Sequence, residues 1–296
     1  MTTKIQSVEA LCAKALEMRR EIIRMLGEAG SGHPGGSLSC TDILAALYFN
    51  AMDYDPKNPK WEDRDRFILS KGHGAPALYA VLALAGFFPK EMLITLRKLE
   101  SPLQGHPDMR RLPGLEASTG SLGQGLSIGV GSALNQRLMK KSYRTYVLLS
   151  DGEINEGQNW EAIASAAHFK LDSLTAILDY NKFQLDDSTK NILDFEPMAD
   201  KWRAFNWAVR EIDGHNMKEI VEALAWAKTV KNQPAIIIAH TVKGKGVSFM
   251  ENNNEFHGVA PTREETAKAL AELARAGGPG LPDQAAGGGL NKLGEK

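Results

Sequence analysis

Two residues with metal-binding side chains, Asp151 and Asn181, stand 30 positions apart. Each follows an apolar segment that predicts a strand, residues 143–149 in the first case and 174–178 in the second. The carboxyl ends of parallel strands meet at one edge of a sheet, so we expect these side chains to lie close together. Both offer oxygen atoms that suit Mg²⁺ or Ca²⁺, and Mg²⁺ often completes its octahedron with phosphate oxygens. Gly152 would let backbone approach a phosphate closely.

Histidine is the second residue type that suggests chemistry here. Four of the seven histidines lie in loops flanked by glycine or proline, namely His33, His73, His106 and His257. A single histidine near glycine is most often structural, but imidazole is suited to proton transfer near neutral pH. The remaining three are interpreted as structural: His168, His215 and His240.

The composition excludes several classes of protein. The 35 basic and 36 acidic residues leave a net charge of −1, so nothing indicates a nucleic-acid partner. The two cysteines, Cys12 and Cys40, cannot form a disulfide framework and lack metal-ligand spacing. The longest apolar run, residues 75–88, is interrupted by Pro76 and Gly86. It is too short to span a bilayer, which takes about 20 residues. We therefore expect a soluble cytoplasmic protein with no membrane partner.

Strands and helices alternate along the chain. Such alternation predicts an α/β fold, a parallel sheet covered by helices on both faces. The predicted strands are residues 67–69, 143–149, 174–178, 207–212 and 235–241, and the predicted helices are 4–26, 41–52, 76–86, 156–169, 197–204, 217–229 and 261–276. A glycine-rich break is predicted at 27–37. Residues 1–276 are predicted to be one domain, and 277–296, rich in Gly and Pro, a disordered tail.

Several motifs resemble those of the transketolase family. Asp-Gly followed 30 residues later by an Asn that closes a strand resembles the diphosphate-binding motif of thiamine-diphosphate enzymes, with Ser150 in the first position, where the family has Gly. The further motifs are SGHPGG at 31–36, SKGHGAPALYA at 70–80, GHP at 105–107, TGSLGQG at 119–125, TVKGKG at 241–246 and FHG at 256–258. They stand in family order and cover most of the chain, which makes the resemblance specific.

The resemblance implies a fold, an activity and partners. The chain resembles only the first of the three transketolase domains, the diphosphate-binding domain of the thiamine-diphosphate-binding fold. It is therefore similar to the N-terminal subunit of a split transketolase. Such an enzyme transfers a two-carbon ketol unit from a ketose phosphate to an aldose phosphate with thiamine diphosphate and Mg²⁺. The implied partner is a C-terminal subunit with the pyrimidine-binding domain, and self-association of this chain would complete a heterotetramer.

The resemblance also implies roles for the histidines and two lysines. His33 and His257 would face the reacting carbonyl oxygen and move protons, while His106 would hold the terminal hydroxyl of the donor sugar. The residues implied to lie near the cofactor phosphates are Lys71, His73 and Lys243.

Further residues implied by the resemblance bind the cofactor or the metal. The glycine-rich loop would bring backbone against the cofactor at Gly120, Ser121, Leu122 and Gly123. Asp151, Asn181 and the backbone carbonyl of Phe183 would bind the metal, with Gly152 beside the diphosphate. Glu156 would lie at the subunit contact and couple to the partner's active site.

Two alternatives stay open. One is a related thiamine enzyme, such as a deoxyxylulose-phosphate synthase or a split pyruvate dehydrogenase component; the HPGG, GHP and TGSLGQG motifs favour transketolase. The other is a non-catalytic binding or regulatory subunit that kept the fold. The intact Asp151, Asn181 and four loop histidines argue against loss of activity.

Overall fold

The structure is a computed structural model that describes residues 4–276. The prediction of a disordered tail at 277–296 concerns residues outside this range. Among the described residues, none of the helices combines the length and the apolar character that crossing a membrane requires.

Five parallel strands form one sheet, in the order β1-β2-β3-β5-β4. Their bounds are β1 (Arg66–Leu69), β2 (Thr145–Ser150), β3 (Leu174–Tyr180), β4 (Ala208–Asp213) and β5 (Ala235–His240). All five predicted strands are present, and their bounds differ from the prediction by no more than two residues. β1 and β4 are the edge strands. The predicted α/β fold with a parallel sheet is confirmed.

Ten α-helices connect and cover the strands within the described range. They are α1 (Val8–Ala29), α2 (Pro34–Ser39), α3 (Thr41–Ala46), α4 (Ala75–Leu84), α5 (Gln124–Leu138), α6 (Gly157–His168), α7 (Thr189–Ile192), α8 (Met198–Ala204), α9 (Met217–Thr229) and α10 (Arg263–Ala276). A π-helical turn at Leu47–Ala51 extends α3, and short 3₁₀ turns form at Gly72–Gly74, Lys90–Thr95, Gly152–Asn155 and Asn254–Phe256.

The sheet has a hydrophobic core on each face. Helices α1, α3, α4 and α9 pack on one face, against Tyr146 and Leu148 of β2. Helices α5, α6 and α8 pack on the other face, against Val147 and Leu149. Because successive side chains of a strand point to opposite faces, strands covered on both sides need continuous apolar runs. This explains why the strands were recognisable in the sequence.

Two predictions around the first helices were wrong. The first helix begins at Val8 and not at residue 4, because the hydroxyl of Ser7 caps it by accepting a hydrogen bond from the Ala10 amide at 3.3 Å. The predicted glycine-rich break at 27–37 is mostly helical. The first helix continues to Ala29, and α2 begins at Pro34, whose fixed φ suits the first position of a helix.

Helix α5 was not predicted, because it contains three glycines and glycine disfavours helix. One of them is required by packing. A Cβ atom built on Gly129 would lie 2.4 Å from Cγ2 of Val147. The helix therefore approaches β2 more closely than an alanine would allow.

Gly129→Ala should lower the free energy of unfolding by about 1–3 kcal/mol, since the added methyl group overpacks the contact with Val147. Urea unfolding measures the change. In a Val147→Ala background the same substitution should cost less, because the clashing methyl group is gone. Equal costs in both backgrounds would show that Val147 does not limit the approach.

Candidate functional site

A cleft of about 390 Å³ opens at the carboxyl edge of the sheet. Its walls come from loops that follow β1, β2, β3 and β5, together with the segment that leads into α2. The predicted site residues that line it are His33, Lys71, His73, His106, Gly120, Leu122, Gly152, Glu156, Asn181, Phe183, Lys243 and His257. Three predicted residues, Ser121, Gly123 and Asp151, are not part of the lining. The sequence motifs thus converge on one place in the fold.

The four loop histidines form one cluster around His33. The ring centroid of His33 lies 5.3 Å from that of His73, 6.4 Å from that of His106 and 5.8 Å from that of His257. His73 and His257 stack on each other, with centroids 5.5 Å apart. Sequence separation between the first and last of these residues exceeds 200 positions, so only the fold brings them together.

Burial keeps these four rings neutral near pH 7. It lowers the pKa of His33 to about 4, helped by the positive charge of Arg97. It likewise lowers the pKa of His257 to about 4, with Lys243 adding repulsion. The pKa of His73 is well below its usual value for the same reason, and that of His106 is lowered. A neutral imidazole can donate a hydrogen bond from one nitrogen and accept one at the other.

Asp151 lies just beneath the cleft. The strand register pairs Ser150 with Asp179, so Asp151 and Asn181 follow at neighbouring strand ends, as predicted. Asp151 is 2% exposed and accepts backbone hydrogen bonds from Gly152, at 2.8 Å, and from Lys182. Burial raises the pKa of Asp151 to about 7, with the negative charge of Asp179 adding to it.

The donor set at this edge fits a divalent cation. A cation beside Asp151 would offset the burial and the neighbouring negative charge that raise its pKa. Among residues 4–276 no group of three or more His, Cys, Asp or Glu side chains is arranged for a metal. An ion held here would therefore need the amide oxygen of Asn181, the carbonyl of Phe183 and oxygens from outside the protein. Oxygen-only ligation of this kind suits Mg²⁺ or Ca²⁺.

The same edge fits a diphosphate. The side-chain nitrogen Nε2 of Gln184 is buried and has no hydrogen-bond partner within the described residues. A Cβ atom on Gly152 would lie 3.0 Å from Cγ of Gln184, so glycine at this position leaves room for the Gln184 side chain. A buried donor without a partner is costly unless a ligand accepts from it. Sequence reasoning missed Gln184, since glutamine in a polar loop carries no signal.

A buried ion pair lies behind Asp151 and Asn181. Lys71 and Asp179 are fully buried, and the Lys71 ammonium contacts the Asp179 carboxylate and donates to the Gly36 carbonyl at 2.6 Å. Asp179 also accepts from the Ser39 hydroxyl at 2.6 Å and from the Thr241 hydroxyl. Burial disfavours the charged carboxylate, but Lys71 and these hydrogen bonds outweigh it and hold the pKa of Asp179 below its usual value.

Lys243 also has partners within the protein. It is 1% exposed, and its ammonium lies within hydrogen-bond distance of the Gln184 carbonyl, the Asn254 amide oxygen and Nδ1 of His257. The prediction that Lys71 and Lys243 lie by the diphosphate stays a prediction.

Glu153 is a buried carboxylate that sequence reasoning missed. It accepts hydrogen bonds from the Ser70 hydroxyl, from the Gly123 amide at 2.7 Å and from the Ser150 amide at 3.2 Å. It therefore joins the loops after β1 and β2 to the glycine-rich loop at 119–125. The amide of Gly123 is engaged by Glu153, and its φ of 83° lies in the left-handed region that favours glycine.

The remaining predicted residues differ in exposure. Ser121 is exposed, and so is Glu156, which stands immediately before α6 with its Cβ close to Gly123. His106 is the most exposed of the four histidines.

Lys71→Met should lower the free energy of unfolding by about 3–5 kcal/mol, because it leaves the buried Asp179 charge unpaired. The matched control is Lys98→Met. The ammonium of Lys98 pairs with Glu28 at 2.7 Å, but both side chains are about half exposed. That change should cost no more than about 1 kcal/mol. Chemical denaturation compares the two, and equal losses would contradict the assigned role of the buried pair.

Comparison with known proteins identifies the family. The family model for the transketolase thiamine diphosphate binding domain matches residues 12–276. The 6-deoxy-6-sulfo-D-fructose transketolase subunit SqwG of Clostridium sp. (strain MSTE9) is 49% identical over 260 residues, which cover 88% of this chain and 94% of that protein. An apulose-4-phosphate transketolase subunit of Phocaeicola vulgatus is 41% identical over 266 residues, covering 90% of this chain and 94% of that protein.

Full-length transketolases match over part of their length. Human transketolase is 42% identical over 269 residues, which cover 90% of this chain but 42% of the human protein. The transketolase of Leishmania mexicana superimposes with a TM-score of 0.87 at 31% identity, covering 94% of this chain and 43% of that one. The chain thus spans nearly all of the relatives named as subunits and about two fifths of the full-length enzymes, which confirms the resemblance drawn from the motifs. The chain belongs to the transketolase family: residues 12–276 match the thiamine diphosphate binding domain of that family, and the chain is similar over most of its length to relatives named as subunits.

Proposed function

We propose that this chain binds the diphosphate of thiamine diphosphate together with Mg²⁺ and, with a second subunit, transfers a two-carbon ketol unit from a ketose phosphate to an aldose phosphate. One observation carries the proposal. Asp151 and Asn181, a buried carboxylate and an amide at neighbouring strand ends, lie beneath and in the wall of a cleft lined by four neutral histidines. Ca²⁺ could replace Mg²⁺, because all the donors are oxygen atoms.

The binding role is divided between the strand ends and the loops. Asp151, Asn181 and the carbonyl of Phe183 would hold the cation, whose remaining ligands would be diphosphate oxygens. The Gln184 amide would face the phosphates, and Gly152, which lines the cleft, would lie beside them. The predicted contacts of Gly120 and Leu122 with the cofactor are consistent with their place in the cleft wall.

The histidines would act on the sugar. Thiamine diphosphate, when bound, supplies the electron sink that allows a carbon–carbon bond beside a ketose carbonyl to break. The ketose carbonyl oxygen gains negative charge earlier, when its carbon is attacked, and preorganised donors would stabilise that charge best in a site from which water is excluded. Neutral His33 and His257 can each donate one hydrogen bond to this oxygen and pass a proton. His106, at the exposed side of the cluster, would hold the terminal hydroxyl.

The partner and the assembly are further parts of the proposal. Activation of the aminopyrimidine ring needs a carboxylate, which we assign to a C-terminal subunit with the pyrimidine-binding domain. Glu156, exposed beside the glycine-rich loop, would couple to that subunit's site. Self-association would cover apolar residues exposed on α5, since Ile128 is 40% and Leu138 is 78% exposed. Two such chains and two partners would form a heterotetramer.

The substrates and the location complete the proposal. The two relatives named as subunits take sugars that carry a sulfonate or a phosphate, according to their names. An anionic sugar, in first place a sugar phosphate of the pentose phosphate series, is the proposed substrate class here. A cytoplasmic location is consistent with two free cysteines, Cys12 and Cys40.

The purified chain with thiamine diphosphate, Mg²⁺, xylulose phosphate and ribose phosphate should show essentially no turnover, and adding the partner subunit should restore it. The reason is the missing carboxylate for the aminopyrimidine ring. A coupled assay of ketol transfer measures both states, with pyruvate as the substrate of related thiamine enzymes for comparison. Full activity of the single chain would contradict the two-subunit proposal, and cofactor binding without turnover in the complex would indicate a regulatory subunit.

Asp151→Ala should weaken Mg²⁺-dependent binding of thiamine diphosphate at least about 100-fold, because it removes the charged ligand of the cation. Calorimetry with and without Mg²⁺ measures the loss. Asp200→Ala is the control, since Asp200 is exposed and pairs with Arg203 on α8. Unchanged affinity in the Asp151 variant would remove the metal-site assignment.

A further inference from the structure

We infer that Lys243 and Asn254 fix the ring of His257 in a single tautomer, with the hydrogen on Nε2, and join it to the segment that carries the metal-binding carbonyl. We call Lys243, Asn254 and His257 the Lys243 cluster. The inference rests on the proposed function, in which the hydrogen on Nε2 of His257 would be donated to the sugar oxygen.

The ammonium of Lys243 decides the tautomer. It lies 3.0 Å from the Gln184 carbonyl, 2.6 Å from Oδ1 of Asn254 and 2.8 Å from Nδ1 of His257. An ammonium group has three donors and no acceptor, so each of these three atoms must accept. Nδ1 of His257 therefore carries no hydrogen, and a neutral ring bonded in this way carries its hydrogen on Nε2.

The charge states of the Lys243 side chain and the His257 ring agree with this tautomer. Burial lowers the pKa of Lys243 to about 8, and Asp151 acts in the opposite direction, so the amine still carries its proton at pH 7. Burial and Lys243 lower the pKa of His257 to about 4, against the opposing effect of a hydrogen bond between the ring and the Gln184 backbone, and the ring stays neutral. The reverse arrangement, in which Nδ1 donates, would direct an N–H group at an ammonium 2.8 Å away.

Asn254 extends the cluster across the cleft. Its Oδ1 accepts from Lys243, and its Nδ2 donates to the Leu185 carbonyl at 2.7 Å. The carbonyls of Gln184 and Leu185 follow the predicted metal ligand Phe183; the first is bonded to Lys243 and the second to Asn254, three residues before His257. The orientation of the amide is set on both sides, because only its oxygen can face the ammonium.

The backbone around Lys243 is held in turn by the HPGG segment. The Gly244 amide donates to the Gly35 carbonyl at 3.0 Å, and a Cβ atom on Gly35 would lie 3.1 Å from Cγ of Lys243. Glycine at position 35 therefore leaves room for the lysine stem. This gives Lys243 a positioning role that differs from the diphosphate contact implied by the family resemblance.

The functional consequence concerns the second nitrogen of His257. The ring lines the cleft at 5.8 Å from His33, and because the Lys243 ammonium engages Nδ1, Nε2 is the nitrogen left to act toward a ligand in the cleft. With its hydrogen on Nε2, the ring is a donor toward a sugar oxygen. The opposite tautomer would present a lone pair and repel the developing negative charge.

The test is nitrogen NMR of the ¹⁵N-histidine-labelled full chain at pH 7, without cofactor. The His257 signal, assigned with His257→Gln, should show the form with hydrogen on Nε2 in excess by at least about tenfold, because the hydrogen bond comes from a charged donor. Lys243→Met should convert this signal to a mixture of tautomers. Lys245→Met is the matched control, a lysine two residues away that is partly exposed and pairs with Glu251, and it should leave the signal unchanged.

Three results would overturn the inference. They are hydrogen on Nδ1 in the wild-type chain, an unchanged signal in Lys243→Met, and an equal change in Lys245→Met. The wild-type spectrum decides the tautomer even if the Lys243 variant does not fold. The NMR measurement needs neither cofactor nor partner, so its result stands even if the proposed ketol transfer fails. Likewise, ketol transfer could be observed even if the tautomer assignment is wrong.

Discussion

The buried pair of Lys71 and Asp179 is the interaction on which the site depends. Removing both charges from water is expensive, and only good geometry with further hydrogen bonds offsets that cost. Asp179 meets this condition because the Ser39 and Thr241 hydroxyls also donate to it. The carboxylate thereby holds together the loop after β1, the helix α2, the strand β3 and the segment after β5. Asn181 and His73 each stand two residues from one member of the pair, so the proposed metal ligand and a cleft histidine are positioned by the same contact.

At pH 7 the lysines of the cleft are positively charged, whereas its histidines are neutral. Burial disfavours the charged form of every group there. Asp179 more than offsets this for Lys71, and Lys243, whose pKa falls to about 8, still carries its proton at pH 7. The four imidazoles have no carboxylate partner among the described residues and stay neutral. A cluster of neutral donors beside fixed positive charges favours an oxygen atom that becomes negative. The arrangement therefore suits carbonyl chemistry on an anionic sugar better than metal-centred hydrolysis.

Apolar runs made the sheet predictable, because strands covered on both faces cannot alternate with polar residues. The positions of Asp151 and Asn181 followed directly, since both stand at strand ends that the runs define. Packing contacts were not predictable in this way. Helix α5 contains glycines that disfavour helix in isolation, and only its close approach to Val147 explains them.

The residues that the sequence did not reveal are those whose role comes from long-range contacts. Asp179 lies inside an apolar strand and meets Lys71, which is 108 positions away. A lysine is normally exposed, so nothing in the sequence indicated that Lys71 would be fully buried. Asn254 and Glu153 act through hydrogen bonds to distant loops and leave no local pattern. The motif resemblance named the residues of the cleft wall, Lys71 and Lys243 among them, but not Asp179, Asn254 and Glu153, which hold them in place.

The two edge strands of the sheet limit how this chain can associate with another protein chain. β1 has only four residues, and the Arg66 guanidinium at its start lies over the ring of Tyr143 and beside Glu116. β4, at the opposite edge, carries Arg210 and Glu211, and charged side chains discourage a further strand from pairing. Neither edge is suited to extending the sheet into a neighbouring molecule. Association with another chain therefore falls to helices and loops, which allows a tight assembly without the aggregation that open strand edges invite.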